Sequence, residues 1–182
     1  RSAVLDRGLL AHSGAPRERY RRPRTPCVAS FLGDTNLLPG LVESLAGDQA
    51  LLRTEAGLLR AARIDPDRRA AVSAGMSLQL GVRPEVFRLL ADSNTRDPAA
   101  NLLEAEVVRV LDRGEASLLF ARGTLSPAGG PVEGPAQPQE WRILLLNPPE
   151  FFPGARCRFA FDPQDVVLMP SFVNLGAYID KG

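Results

Sequence analysis

A chain of 182 residues, 45% of them hydrophobic, can bury the core of one ordinary domain or two small ones. Its formal charge of +1 offers no strong global field to attract nucleic acid or an anionic membrane. Two cysteines, Cys27 and Cys157, and one histidine, His12, are too few for a zinc site or a disulfide framework, and no apolar run approaches the ~20 residues of a membrane span.

Residues 3–14, AVLDRGLLAHSG, read as a strand, a turn at Asp6-Arg7-Gly8 and a second strand closed by Gly14. Pro16 suits a first helical turn, Glu18 favours a helix N-terminus, and a helix through this charged stretch must stop before Pro23. CVASFL (27–32) supplies one or two further turns with Gly33 as C-cap. From Asn36 onward strands and turns dominate: LLPGLVES, a turn at Ala46-Gly47-Asp48, ALLRT, a turn at Glu55-Ala56-Gly57, then LLRAARI. A polar segment with Pro66 precedes GMSLQLGV, where Leu78, Leu80 and Val82 alternate with Ser77, Gln79 and Gly81. That period of two marks a half-buried strand. Residues 91–100 read as a linker or long loop.

The pattern then recurs. NLLPGLVESLAGDQALL (36–52) aligns with NLLEAEVVRVLDRGEASLL (101–119), and GMSLQLGVRPEVFRL (75–89) aligns without gaps on GARCRFAFDPQDVVL (154–168). Gly75 falls on Gly154, Leu78 on Cys157, Leu80 on Phe159, Pro84 on Pro163 and Leu89 on Leu168. The second copy carries an extra Pro/Gly-rich loop, 125–139, without apolar period and expected to be mobile. Pro84 and Pro163 have no amide hydrogen for a ladder, so each should sit where a strand leaves its sheet. The expected fold class is mainly β: two tandem small barrels like those that bind oligonucleotides and oligosaccharides (OB), after a short strand-helix segment. The expected units are 1–33, 34–95, 96–170 and a tail, 171–182.

No phosphate-binding loop and no dinucleotide fingerprint is present, and His12 has no partner for a catalytic or metal-binding role. Asp162 and Asp165, on either side of Pro163, could share an acid/base pocket; turn chemistry is the plainer reading. Arg17, Arg19, Arg21, Arg22 and Arg24, with Tyr20 among them, could form a nucleic-acid patch, but the near-neutral total favours a solvated helix face. Trp141 could stack a base or a sugar; with 6% aromatics, none clustered, it is expected in the core or at its rim. Both cysteines are expected to be buried apolar residues, Cys157 in the inward position of Leu78.

These residues resemble a family. The run from Ala3 to Gly40, with Gly8, Gly14, Pro16, Tyr20, Pro23, Val28, Ala29, Phe31, Leu32, Gly33, Asn36 and Gly40, is similar to the segment joining the ATPase domain to the regulatory domain in ABC-type importer ATPases. Arg83-Pro84-Glu85 resembles the family's V-R-P-E turn, and NLLEAEVVRVLDRG with FDPQDVVLM resembles the second half of the transport-associated OB (TOBE) module, nearest to the spermidine/putrescine-importer type. Arg17, Cys27 and the tail 171–182 depart from the pattern.

The resemblance implies a C-terminal regulatory and dimerisation domain in which residues 1–33 are the last strands and linker helix of the ATPase domain. It implies no ATP hydrolysis by this chain and no catalytic, cofactor or metal residues in it, ATP and Mg belonging to the preceding domain. The implied motif and interaction residues are Gly33, Asn36, Gly40, Arg83, Pro84, Glu85, Asn101, Asp162, Pro163 and Asp165. The implied partners are a second copy of the subunit, permease subunits reached through the ATPase domain, and a small regulatory ligand; nucleic acid is not expected. The implied location is cytoplasmic, peripheral on the inner face of the plasma membrane. The chain begins at Arg1 without methionine, as a piece of a longer protein would. Residues 3–14, cut from their sheet, should then be disordered, form a lone hairpin, or pair with another copy. Two other readings stay open: an OB-type nucleic-acid-binding protein, and an oxyanion sensor of the molybdate-binding kind.

Overall fold

The structure is a computed structural model and describes residues 2–6, 9–14, 20–62, 72–91, 100–127 and 136–170. Strands β1 (Ser2–Asp6) and β2 (Leu9–Gly14) pair antiparallel as a sheet of their own, with Val4 opposite His12. The expected turn residues Arg7 and Gly8, and the stretch holding Pro16, Arg17, Glu18 and Arg19, lie outside the described residues. A short helix, α1 (Pro26–Leu32), comes next. Thr25 starts it: its backbone is extended and its side-chain oxygen accepts the Val28 N–H at 3.3 Å, while Pro26 spends no donor in the first turn. Val28 and Ala29 are the buried face.

Ten strands make the remaining sheet: β3 (Asn36–Ala46), β4 (Gln49–Thr54), β5 (Gly57–Ala61), β6 (Ser77–Val82), β7 (Arg88–Leu89), β8 (Asn101–Asp112), β9 (Ala116–Pro127), β10 (Gln139–Leu146), β11 (Arg156–Phe161) and β12 (Val166–Pro170). It curls through the order β12-β6-β3-β4-β5-β9-β8-β11-β7, with β10 on the other side of β9.

The duplication is written in the hydrogen bonds. The β3–β4 hairpin bulges between Val42 and Ser44, and the β8–β9 hairpin between Val107 and Arg109. At the first bulge the Val42 N–H donates to Met76 O at 2.9 Å, and the Gly75 N–H donates to Val42 O at 2.7 Å. At the second, Val107 and Gly154 repeat this with Ala155 O and Val107 O, both at 2.8 Å. Leu78, Leu80 and Val82 point inward, at 6%, 0% and 0% exposure, as their alternation requires. Pro84 and Pro163 each open one turn of 3₁₀ helix directly after a strand, where a residue without an amide hydrogen costs no ladder bond.

After each turn the chain crosses to the other copy. Strand β7, from the first copy, pairs with β11 of the second, Leu89 opposite Phe159. Strand β12, from the second copy, pairs with β6 of the first, Leu168 opposite Leu80. These two pairings are equivalents of one another in the repeat alignment, so the copies exchange their last strands reciprocally. A single apolar cluster therefore runs through both barrels, from Leu38, Leu52 and Leu80 to Trp141, Ile143 and Phe161. Phe87, at the end of the first 3₁₀ turn, lies against two rings of the second copy, Trp141 at 5.9 Å edge-on and Phe161 at 5.0 Å. The barrels also meet where Gly57 lies beside Leu125 in a parallel pairing. There the Leu125 N–H donates to Ala56 O at 2.7 Å, and a Cβ on Gly57, at φ +126°, would stand 2.2 Å from Leu125 O.

Two expectations need correction. The extra loop is shorter than 125–139: β9 runs through Pro127 and β10 begins at Gln139. Leu125 is held by Leu103 across the ladder and by the Gly57 contact, and is fully buried. Residues 128–135 lie outside the described residues, as do 63–71 with Pro66, 92–99 of the linker, and the tail 171–182. Cys27 is exposed rather than buried, because Val28 and Ala29 take the inward positions of α1. Cys157 is half-buried against the core as expected, and burial pushes its thiol pKa up.

Candidate functional site

The two proline corners have nearly superposable backbones. Arg83, before Pro84, has φ −74° and ψ 144°; Asp162, before Pro163, has φ −78° and ψ 144°. The Val86 N–H donates to Arg83 O, and the Asp165 N–H donates to Asp162 O. The side chains at these equivalent positions carry opposite charge.

Arg83 is buried, at 7% exposure, and clamps the segment that precedes the barrels. Its Nη1 faces four oxygens: Ala29 O at 3.1 Å, Gly33 O at 2.9 Å, Asp34 O at 3.0 Å and Thr35 Oγ1 at 2.5 Å. Two hydrogens are shared among them. Its Nη2 donates to Tyr20 O at 3.2 Å, and the guanidinium stacks 4.1 Å from the Tyr20 ring centroid. Gly33 ends α1 at φ 155°, a conformation other residues avoid. A Cβ there would lie 3.3 Å from the Tyr20 ring and 3.5 Å from Arg83 Nη1. The Tyr20 hydroxyl donates to Glu85 Oε1 at 2.5 Å, and Arg142 Nη1 reaches Asp34 Oδ1 at 2.8 Å. Burial, opposed by the nearby Tyr20, Glu85 and Asp34, lowers the Arg83 pKa, yet a guanidinium stays cationic in proteins. Burial first, then the Glu85 hydrogen bond, raises that of Tyr20.

At the other corner Asp162 faces Arg88 in a two-pronged pair, with Nη1–Oδ2 at 2.8 Å and Nη2–Oδ1 at 3.2 Å. This salt bridge, half exposed, holds Asp162 below the usual carboxylate range. Asp162 thus serves an ion pair, and Asp165 sits in the turn, its N–H donating to Asp162 O.

Asn36 and Asn101, equivalents in the two copies, lock the barrels to each other. Asn36 Nδ2 donates to Arg142 O at 2.9 Å and to Val82 O at 3.2 Å, while its Oδ1 accepts the Arg142 N–H at 2.7 Å. Asn101 Nδ2 donates to Arg60 O at 2.9 Å, and its Oδ1 accepts the Arg60 N–H at 2.7 Å. Each side-chain amide acts as a one-residue strand on the edge of the other copy, β10 or β5.

Gly40 sits inside the first barrel, where a Cβ would stand 2.8 Å from Leu80 Cδ1. Trp141 is a core residue at 1% exposure, its Nε1 donating to Gly123 O at 3.3 Å. The described arginines of the N-terminal run, Arg21, Arg22 and Arg24, are exposed. The structure therefore brings Gly33, Arg83, Pro84 and Glu85 into one site, and Asp162, Pro163 and Asp165 into its counterpart. Asn36 and Asn101 lie between the barrels, and Gly40 belongs to packing. Sequence reasoning missed Thr35, Asp34, Arg88, Arg142 and Phe87. The one available signal was the alignment itself, which sets Arg83 over Asp162. Among the described residues no group of histidine, cysteine and carboxylate side chains could hold a metal ion, and no helix is long and apolar enough to cross a membrane.

No protein-family model matches the chain. It is similar to the spermidine/putrescine import ATP-binding protein PotA of Marinobacter nauticus, 39% identical over 104 residues, which are 57% of this chain and 27% of that protein. The protein of the same name from Rubrobacter xylanophilus is 33% identical over 130 residues, 71% of this chain and 32% of the relative. The chain thus matches about a quarter to a third of the length of these curated relatives. Among solved structures it is similar to the cytoplasmic molybdate-binding protein ModG in its molybdate-bound form, with a TM-score of 0.57 and 18% identity, covering 75% of this chain and 96% of that one. That likeness shows the fold: a mainly β pair of OB-like barrels. Over the matched stretch, the chain is a homologue of part of the spermidine/putrescine import ATP-binding proteins, as its motifs imply.

Proposed function

We propose that the chain is the regulatory and dimerisation module of the ATP-binding subunit of an ABC importer of the spermidine/putrescine type. The observation that carries this reading is the identity to the polyamine-import relatives over half to seven-tenths of the chain. The geometry supports it. Arg83 ties the barrels to the segment that, by resemblance, leads in from the ATPase domain. Paired modules would hold two ATPase halves at high effective concentration while they open. A ligand that preferred one arrangement of the modules would bias the pair toward it.

The test uses the full-length gene product with its permease and binding protein reconstituted in vesicles. The expected result is ATP-driven polyamine uptake that weakens when residues 34–182 are deleted, while the 182-residue chain alone leaves Mg-ATP intact. Hydrolysis by the chain alone, or full uptake without 34–182, would overturn the reading.

The fold neighbour was solved with molybdate bound, which supports a second reading: an oxyanion-binding module. Calorimetric titration of the chain with molybdate and sulfate separates the two, and flat heats remove the second. The nucleic-acid reading finds less support. On the outer face of the second barrel Arg156 faces Glu106 and Arg158 faces Glu104, which offsets the positive charge of these two arginines. Absence of a mobility shift with single strands at low salt is the expected result.

A further inference from the structure

We propose that Arg83 is a docking anchor: its guanidinium fills a cation cradle built wholly by residues 20–35, and that segment leaves the barrels as a unit when the cradle is emptied.

The cradle's composition argues for this. All five oxygens facing the guanidinium, and the ring beneath it, come from the segment Tyr20–Thr35. The cation comes from the barrel corner after β6. One ion therefore bridges two parts of the chain. Besides the cradle, the segment is held by a small buried patch, which includes Pro23, and by exposed polar contacts. Strand β3 is fixed at its first residue, Asn36, by Arg142 and Val82, so the segment before it hangs from a held end. Helix α1 buries only Val28 and Ala29, and turns Phe31 outward at 74% exposure. The flanking contacts, Tyr20 with Glu85 and Arg142 with Asp34, are exposed, and such pairs contribute little. Seven residues are also too few for a helix that persists alone, so undocking and loss of helix in α1 go together.

The second copy supplies the contrast. Asp162, at the equivalent corner, would repel a ring of carbonyl oxygens, so only the first corner can hold such a segment. The hairpin β1–β2 and anything joined ahead of it are thereby coupled to the barrels in part through this side chain. The proposal goes beyond the transporter reading and stands without it.

Hydrogen exchange on the 182-residue chain tests it directly, independently of any transport assay. In Arg83→Ala, amides of 26–35 should exchange at least ~10-fold faster, with β4, β9 and β10 unchanged, as loss of hydrogen bonds to a charged group predicts. Guanidinium ion at low millimolar concentration should restore protection by refilling the cradle; tetramethylammonium, which has no N–H donor, should not. Unchanged exchange at 26–35, equal loss of protection in the barrels, or failure of guanidinium to rescue would overturn the proposal. Should Arg83→Ala not fold, Arg83→Lys takes its place. The lysine keeps the charge and loses the fork, so faster exchange confined to 26–35 supports the anchor, and a global or null effect refutes it.

Discussion

The corner after β6 and the corner after β11 have the same backbone and different tasks. Proline sets both: it ends the ladder, starts a 3₁₀ turn and sends the next strand to the other copy. The residue before it sets the task. Arg83 reaches out of its barrel to a ring of carbonyls; Asp162 turns to Arg88, which belongs to the first copy. The outer faces differ in the same way. Glu104, Glu106, Arg156 and Arg158 line the second barrel, where the equivalent positions of the first hold Pro39, Leu41, Ser77 and Gln79. Duplication preserved the scaffold, whose geometry both copies need, while the side chains facing outward diverged.

The largest asymmetry should appear in the core. Phe87 and Val166 occupy equivalent positions after the two 3₁₀ turns, and both are nearly fully buried. Phe87 also meets two rings of the other copy. Phe87→Ala should cost about 3–5 kcal/mol of unfolding free energy in urea, and Val166→Ala clearly less. Equal costs would mean that the exchanged segments do not differ in their packing. The two asparagines come next and should behave alike. Asn36→Ala or Asn101→Ala leaves a backbone N–H and C=O of the opposite edge strand without its amide partner, a loss of about 1–3 kcal/mol each. A loss at only one of the two would break the symmetry of the lock. Smaller still is Arg88→Met: its pair with Asp162 is half exposed and should contribute only about 0.2–1 kcal/mol.

The strands were readable because burial imposes a local period. Leu78, Leu80 and Val82 alternate inward, and Gly75 and Gly154, at φ 83° and 90°, mark the same turn twice. The proline corners were readable because a missing amide hydrogen is a property of one residue. The strand exchange was not. Nothing in RL or VVLMP says which sheet edge it will join, because pairing is decided by the distant strand that is left open. Arg83 was visible only as part of a turn motif. Its five acceptors include four backbone oxygens, and a backbone oxygen has no signature in a sequence. Asn36 and Asn101 were equivalent on paper, but their partners, Arg142 and Arg60, are engaged through the main chain and could be any residue.

The two corners should also fail at opposite ends of the pH scale. Asp162 is held below its ordinary value, first by the Arg88 hydrogen bond, against a smaller opposing effect of burial. A lowered carboxyl contributes stability above the usual carboxylate range and loses it as pH falls through the lowered value, so acid loosens the second corner. Tyr20 is raised, first by burial and then by Glu85, with Arg83 acting against them and Asp34 with them. A raised phenol contributes stability below its ordinary value near 10 and loses it as pH climbs through the raised one, so alkali loosens the first corner. Both groups are partly exposed and both effects are small. The chain has two tyrosines, so Tyr178→Phe isolates the tyrosinate absorbance of Tyr20. In that background the titration should fall above the ordinary tyrosine range, and Glu85→Gln should move it down by removing the facing carboxylate. A Tyr20 titration indifferent to Glu85 would show that the phenol is not held at this corner.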